Sequence, residues 1–229
     1  TLTGQNFFTD NPDIIFHLNK PYFNKIFNLL NKHNKDYSQE VSEYKKEIIR
    51  FLQNLGELSG QKITTCTQVL DFDSDNKELI KSTIQEILNQ LKNIGAHKLC
   101  IPKQHHGLGY PIFVELIALE IVARACPSIT LNMSSYNLIF HLIQDCPNFE
   151  NKENLLNQIS AGVCNGNIAF TEKSSGSDLR TINTYAKFNN ESKVWKIYGE
   201  KFFISNPDAD FSIVLAKTAN PSIAGIKDL

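Results

Sequence analysis

The stretch AFTEKSSGSDL, residues 169–179, runs from an apolar segment into a knot of small hydroxyl residues flanked by Glu172 and Asp178. The hydrophobic period changes around it. Before about residue 163, apolar residues recur at helical spacing. After it, NIAFTE, TYAKFN, VWKIYG, KFFIS and DFSIVLAKT are short runs rich in β-branched and aromatic residues, and NNES reads as a hairpin turn. Helices followed by strands predict an α+β chain: a helical domain over 1–162, then an antiparallel, barrel-like sheet domain over 163–229. The few strands that fit before residue 217 reach no closure, so this domain reads as incomplete, with an edge left for further chain or a partner.

Outward from that boundary the helices carry their own signals. Asn11 is placed to cap a helix that starts at Pro12, and Pro21 is expected to split the run. Ile15, Leu18, Tyr22, Ile26, Leu29 and Leu30 form its apolar stripe. Val41, Tyr44, Ile48, Phe51, Leu52 and Leu55 form the next, with Ser38 as a candidate cap. Residues 59–75 lack the helical pattern and read as a loop or short hairpin. Leu79, Ile80, Ile84, Ile87, Leu88, Leu91 and Ile94 mark an amphipathic helix that Gly95 ends. IFVELIALEIVARA is apolar on most sides and predicts a buried helix. SITLNMSSYNLIFHLIQD follows, with small Ser134 and Ser135 where helices can approach, and then NKENLLNQISAG, ended by Gly162.

Composition narrows the function. A formal net charge of −1 gives no field to recruit nucleic acid or an anionic membrane, and no apolar run reaches the roughly 20 residues of a membrane span. The five cysteines, Cys66, Cys100, Cys126, Cys146 and Cys164, are odd in number and lack C-x-x-C spacing. They read as scattered buried thiols in a reduced compartment.

The loop Ser174, Ser175, Gly176, Ser177 lets backbone approach a ligand, and its N–H and hydroxyl groups suit a phosphate or the polar edge of a ring. On its own it reads first as a surface β-turn. It is neither a Walker loop nor a dinucleotide fingerprint. A second stretch changes the balance: in GEKFFISNPDADFSIVLAKT, Phe203, Ile204 and Ser205 close a strand before a polar turn.

Together these stretches resemble the acyl-CoA dehydrogenase family. Thr171, Glu172, Gly176, Ser177 and Asp178 match its T-E-x-x-x-G-S-D pattern. Gly199, Lys201, Phe203, Ile204, Ser205 and Asn206 match G-x-K-x-[WF]-I-[ST]-N, and Ala216, Lys217 and Thr218 the strand end beyond. IPKQHHGLGYP is similar to the family's glycine loop. The resemblance runs over about 76–229. Residues 1–75 resemble the extra N-terminal segment of longer members.

The resemblance implies FAD and α,β-dehydrogenation of an acyl-CoA thioester, in fatty acid metabolism. A carboxylate would take the α-proton and the flavin the β-hydride. Thr171 and the backbone of Ile168, Ala169 and Phe170 would meet the flavin's pyrimidine edge. Ser177 would address the pyrophosphate and lie near substrate. Phe203 and Ile204 would lie along the ring, with the Ser205 hydroxyl toward N5. Electron-transfer flavoprotein would be the electron acceptor, a full-length protein would be a homo-oligomer, and the location would be the cytoplasm, or the mitochondrial matrix of a eukaryote. The family's C-terminal helical bundle, which supplies the catalytic glutamate, has no counterpart here, so no catalytic base is assigned. An inactive fragment serving as a binding module, or an oxidase-like relative, are the alternatives. Lys173 and Ser174 stand where the family has Pro or Gly, and His106 replaces one loop glycine. His105 and His106 read as loop residues rather than metal ligands, His141 as a core residue, and Trp195 as packing.

Overall fold

In the computed structural model, which describes residues 5–33, 41–72, 76–147 and 149–218, the chain divides into units Thr1–Val163 and Cys164–Leu229. The first unit is helical: α1 (Pro12–Leu18), α2 (Pro21–His33), α3 (Val41–Leu58), α4 (Thr64–Phe72), α5 (Lys77–Asn93), α6 (Ile112–Ala125), α7 (Pro127–Asp145) and α8 (Lys152–Ser160). Asn11 caps α1 through its side chain, 3.2 Å from the Ile14 N–H, and α1 and α2 separate before Pro21. Gly95, at φ 80°, and Gly162, at φ 70°, end α5 and α8 in the left-handed region that L-residues avoid. The expected cap Ser38 lies outside the described residues.

Tyr44, Ile48, Phe51, Leu52 and Leu55 of α3 sit in one core with Ile87 and Leu91 of α5 and Val114, Ala118, Ile121 and Val122 of α6. The stripe on α1 and α2 is shifted from the expected one. Ile14, Leu18 and Phe27 are buried, whereas Tyr22 and Leu29 are exposed. On α6, Ile112 and Leu116 are exposed, so this helix is buried on one side only. Ser134 and Ser135 bond back to the carbonyls of Leu131 and Asn132 in their own helix. Nor are the thiols all buried: Cys126 is, but Cys146 is exposed and Cys66, Cys100 and Cys164 are intermediate.

Residues 59–72 are helical, contrary to the loop or hairpin expected there. A π-helical turn, Ser59–Ile63, joins α3 to α4. Ile63 is fully buried, and the Thr67 hydroxyl reaches the Ala125 carbonyl at 2.8 Å, so tertiary contacts override a weak local pattern. The N-terminal segment crosses this turn closely. A Cβ on Gly60 would lie 2.0 Å from the Gln5 carbonyl oxygen, and Phe7 and Phe8 are buried beside it. Among the described residues, no helix is long and apolar enough to cross a membrane.

The second unit holds β1 (Gly166–Ala169), β2 (Tyr185–Asn189), β3 (Val194–Tyr198) and β4 (Phe211–Val214). β2 and β3 form the expected hairpin, with Phe188 opposite Trp195, and the Asn189 side chain accepts from the Glu191 and Ser192 N–H groups in its turn. β1 pairs with β4 in parallel, Ile168 opposite Ile213, which corrects the all-antiparallel expectation. The described strands form two two-stranded sheets and no barrel.

Candidate functional site

The candidate residues all lie in the second unit. β1 carries Ile168 and Ala169 on the parallel ladder, opposite Ile213 and Val214, and the Ala169 carbonyl accepts the Leu215 N–H at 3.2 Å. The chain then leaves the ladder through Phe170 and Thr171 and turns back on itself. Glu172 and Ser175 exchange both backbone bonds, at 2.8 and 3.0 Å, so Lys173 and Ser174 are the centre of a tight turn. Ser175 faces inward: its hydroxyl donates to the Asp178 carbonyl at 2.6 Å and accepts from Thr181 at 3.0 Å. Ser177 is exposed.

Residues 201–205 are irregular, with bends at Phe203 and Ser205, rather than the expected strand. The physical reason is a pair of bonds back to the end of β1. Lys201 Nζ donates to the Phe170 carbonyl at 3.0 Å, and the Phe202 N–H to the Thr171 carbonyl at 2.9 Å. With those groups engaged, the chain bends at Phe203 and enters a turn at Asn206, both at φ 55°. A bulky side chain in that region is uncommon. Phe203 is 85% exposed and touches Phe202 edge to face, with centroids 4.3 Å apart. Ile204 is half-buried and Ser205 exposed. The two motifs therefore meet at Thr171 and Phe202.

Glu172 is the electrostatic centre. It is 6% exposed and accepts from the Asn183 N–H at 2.6 Å, the Thr184 N–H at 2.8 Å, the Thr184 hydroxyl at 2.5 Å and Lys201 Nζ at 3.1 Å. Burial alone would raise its carboxyl pKa. The bonds from Thr184, Asn183 and Lys201 outweigh that and hold it at about 2. A carboxylate so fully committed is a structural anion, not a proton acceptor. Gly199, at φ 149°, packs on this knot; a Cβ there would lie 2.4 Å from the Thr184 hydroxyl. Lys217 closes the far side, pairing through its backbone with Thr184 and Ala186 and donating from Nζ to the Arg180 carbonyl at 3.0 Å.

Sequence reasoning missed Asn183 and Thr184. Their contribution is largely backbone N–H, which residue identity does not advertise. It also missed Asn167, whose Nδ2 donates to the Asn206 carbonyl at 3.0 Å and steadies the second turn from β1.

The first unit has buried polar chemistry of its own. Glu115 is 6% exposed, and the Cys100 thiol donates to its Oε2 at 3.1 Å. Burial raises the pKa of both groups, which disfavours the thiolate at Cys100. The Cys100 N–H donates to Asn137 Oδ1 at 3.0 Å, which fixes the glycine loop to α7. His97 is 4% exposed; burial lowers its pKa to about 4, against the bond that its Nε2 makes to the Ser160 carbonyl at 3.0 Å. His141 is half-buried, with Nδ1 3.3 Å from Gln144 Oε1. Among the described residues no group of histidine, cysteine or carboxylate side chains could hold a metal ion.

Residues 68–163 match the acyl-CoA dehydrogenase N-terminal domain, and residues 167–227 match the acyl-CoA dehydrogenase middle domain. The chain is 28% identical over 194 residues to the mitochondrial isovaleryl-CoA dehydrogenase of Pongo abelii, a match covering 82% of this chain and 43% of that protein. The fold is similar to that of glutaryl-coenzyme A dehydrogenase in complex with glutaryl-CoA, with TM-score 0.67 and 21% identity, over 76% of this chain and 43% of the other. It is also similar to an acyl-CoA dehydrogenase of Bacillus anthracis complexed with FAD, with TM-score 0.58 and 22% identity, over 76% and 29% of the two chains. The chain thus spans less than half the length of each of these proteins. With two successive domains matched in order, and with the two motifs joined by the Lys201–Glu172 pair, the chain belongs to the acyl-CoA dehydrogenase family.

Proposed function

We propose that this chain is the N-terminal and middle portion of an FAD-dependent acyl-CoA dehydrogenase. The observation that carries the reading is Phe203, which holds an aromatic ring 85% exposed on a left-handed backbone, at a bend next to Phe202, whose N–H is bonded to Thr171. Strain of this kind persists where surrounding structure enforces it, and it clusters at ligand sites. A flat ring laid on Phe203 removes apolar surface from water without ordering a new side chain.

The neighbouring residues fit a flavin. The hydroxyls of Thr171, Ser177 and Ser205 have no hydrogen-bond partner among the described residues, so all three can bond a ligand. Thr171 and the backbone of 168–170 would bond the pyrimidine edge, Ser205 would address N5, Ile204 would flank the ring, and Ser177 would bind the pyrophosphate beside the substrate. FAD, when bound, supplies the hydride acceptor. The chain's own part is to bind and orient, with donors aimed where negative charge gathers on the reduced ring. Glu172 holds the two turns in register and is not the base. No catalytic base is assigned within 1–229.

On this reading the substrate is an acyl-CoA thioester, the acceptor an electron-transfer flavoprotein, and the whole protein a homo-oligomer in the cytoplasm or the mitochondrial matrix. The helical domain is 1–162, with 1–75 as an added N-terminal segment, and the middle domain is 163–229. The test is titration of the chain with FAD, followed by flavin fluorescence. Saturable quenching with a shifted visible spectrum is expected; an unchanged flavin signal would refute the reading.

A further inference from the structure

Two bonds tie the second motif to the segment that begins in β1. The Phe202 N–H donates to the Thr171 carbonyl at 2.9 Å, and Asn167 Nδ2 donates to the Asn206 carbonyl at 3.0 Å. The anchors are four residues apart on each side, Asn167 from Thr171 and Phe202 from Asn206. Residues 202–206 therefore run antiparallel to 167–171 and are held at both ends. Between the anchors, Phe203, Ile204 and Ser205 make no hydrogen bond among the described residues. The left-handed backbone of Phe203 sits inside this bridge.

Stability alone does not favour an asparagine at 167. The residue lies on β1 opposite Ser212 and is 5% exposed. A carbonyl can only accept, so the amide is fixed with Nδ2 toward Asn206 and Oδ1 turned away. That Oδ1 is buried and has no hydrogen-bond partner among the described residues. Leaving a buried acceptor unpaired costs at least as much as one ordinary hydrogen bond returns, and an apolar side chain of similar shape avoids that cost. Nor does the Asn206 carbonyl depend on Asn167, because the Ala209 N–H also donates to it, at 3.2 Å. A buried polar group that the fold does not require calls for a role elsewhere.

We propose that Asn167 is a positioning residue. Together with the bond from Phe202 to Thr171, it holds Phe203, Ile204 and Ser205 in the geometry that receives a flat ring. The identity of that ring rests on the proposed function; the clamp rests on the two anchors alone.

The experiment compares the full chain with Asn167→Leu, which removes the donor at similar size, and Asn167→Ala, which removes it with a smaller side chain. Three quantities are read: the urea midpoint from Trp195 fluorescence, chymotryptic cleavage after exposed Phe202 or Phe203 relative to cleavage after Trp195, and the quenching of FAD fluorescence on titration. Asn167→Leu should unfold at the same urea concentration as wild type or above it. Both variants should be cut about tenfold faster at Phe202 or Phe203, and bind FAD about tenfold more weakly, for the loss of one hydrogen bond. Quenching at saturation should also fall, because the ring then meets a loosened Phe203. A merely structural asparagine predicts a lower midpoint for Asn167→Leu, with the cleavage ratio and the limiting quench unchanged; that result overturns the proposal. So does an Asn167→Leu chain that matches wild type in all three. Should the wild-type chain leave FAD fluorescence unchanged, the flavoenzyme reading falls, and the cleavage ratios and urea midpoints still decide whether Asn167 is the clamp.

Discussion

The Nζ of Lys201 lies 3.1 Å from Oε1 of Glu172, 29 residues earlier, with the two side chains only 11% and 6% exposed. Removing one partner of such a pair leaves an uncompensated charge out of water. Glu172→Gln should therefore cost the second unit about 3 kcal/mol. Pairing it with Lys201→Met should recover part of that loss. Denaturant titration followed by Trp195 fluorescence reads this directly, since the chain has one tryptophan. A single mutant as stable as wild type would mean that the pair is not buried as described.

Acid should act on the two units in different windows. Burial takes the His97 pKa from 6.5 to about 4, so the unfolded chain binds a proton there that the folded unit refuses. The His97 contribution to the stability of the first unit is then full above about pH 6.5 and is lost as pH falls toward 4, while Glu115, whose pKa burial raises, works in the opposite sense and favours the fold when protonated. Glu172 has a folded pKa of about 2 against an ordinary 4.5, so its contribution persists down to about pH 4.5 and is lost between there and 2. Amide exchange in α5–α7 should accelerate before the Trp195 signal changes. The reverse order would contradict the assignment.

Thr171→Ala combined with Ser205→Ala should weaken FAD binding or slow flavin reduction in the complete protein. Two lost hydrogen bonds of ordinary strength predict roughly a tenfold to hundredfold effect. Flavin content and anaerobic reduction kinetics measure it, and unchanged values of both would remove these hydroxyls from the site.

Gly60→Ala should loosen the N-terminal segment. The new Cβ would stand 2.0 Å from the Gln5 carbonyl oxygen, which is backbone and must move, taking buried Phe7 and Phe8 with it. A loss of about 1–3 kcal/mol in the first unit is expected from urea unfolding. Gly176→Ala, with open space around it, is the control and should be close to neutral.

Much of this was legible because its causes are local. Asn11 with Pro12, the break before Pro21, and the stops at Gly95 and Gly162 act within a turn of the residues that carry them. The Asn189 turn between β2 and β3 is equally local. What could not be read depends on distant partners. KFFIS has the composition of a strand, yet Lys201 and Phe202 are tied to the carbonyls of Phe170 and Thr171, and the backbone bends. SGQKITTCTQ has a poor helical pattern, yet buried Ile63 and the bond from Thr67 to Ala125 keep it helical. The residue types of the candidate site were visible in the two motifs. The four donors converging on Glu172 were not, because two of them are backbone N–H groups.

The parallel pairing of Gly166 with Phe211 makes everything between them one long excursion whose ends meet at a single ladder. Both turns of the candidate site hang from that excursion. Closing a loop of this size carries an entropic cost that must be met before its contacts form, so the site should be among the last parts of the second unit to organise. During synthesis, β1 has no partner until Val214 has left the ribosome. Until then Ile168 and Ala169 are a bare apolar edge, and a nascent chain stalled short of β4 would present that edge to chaperones.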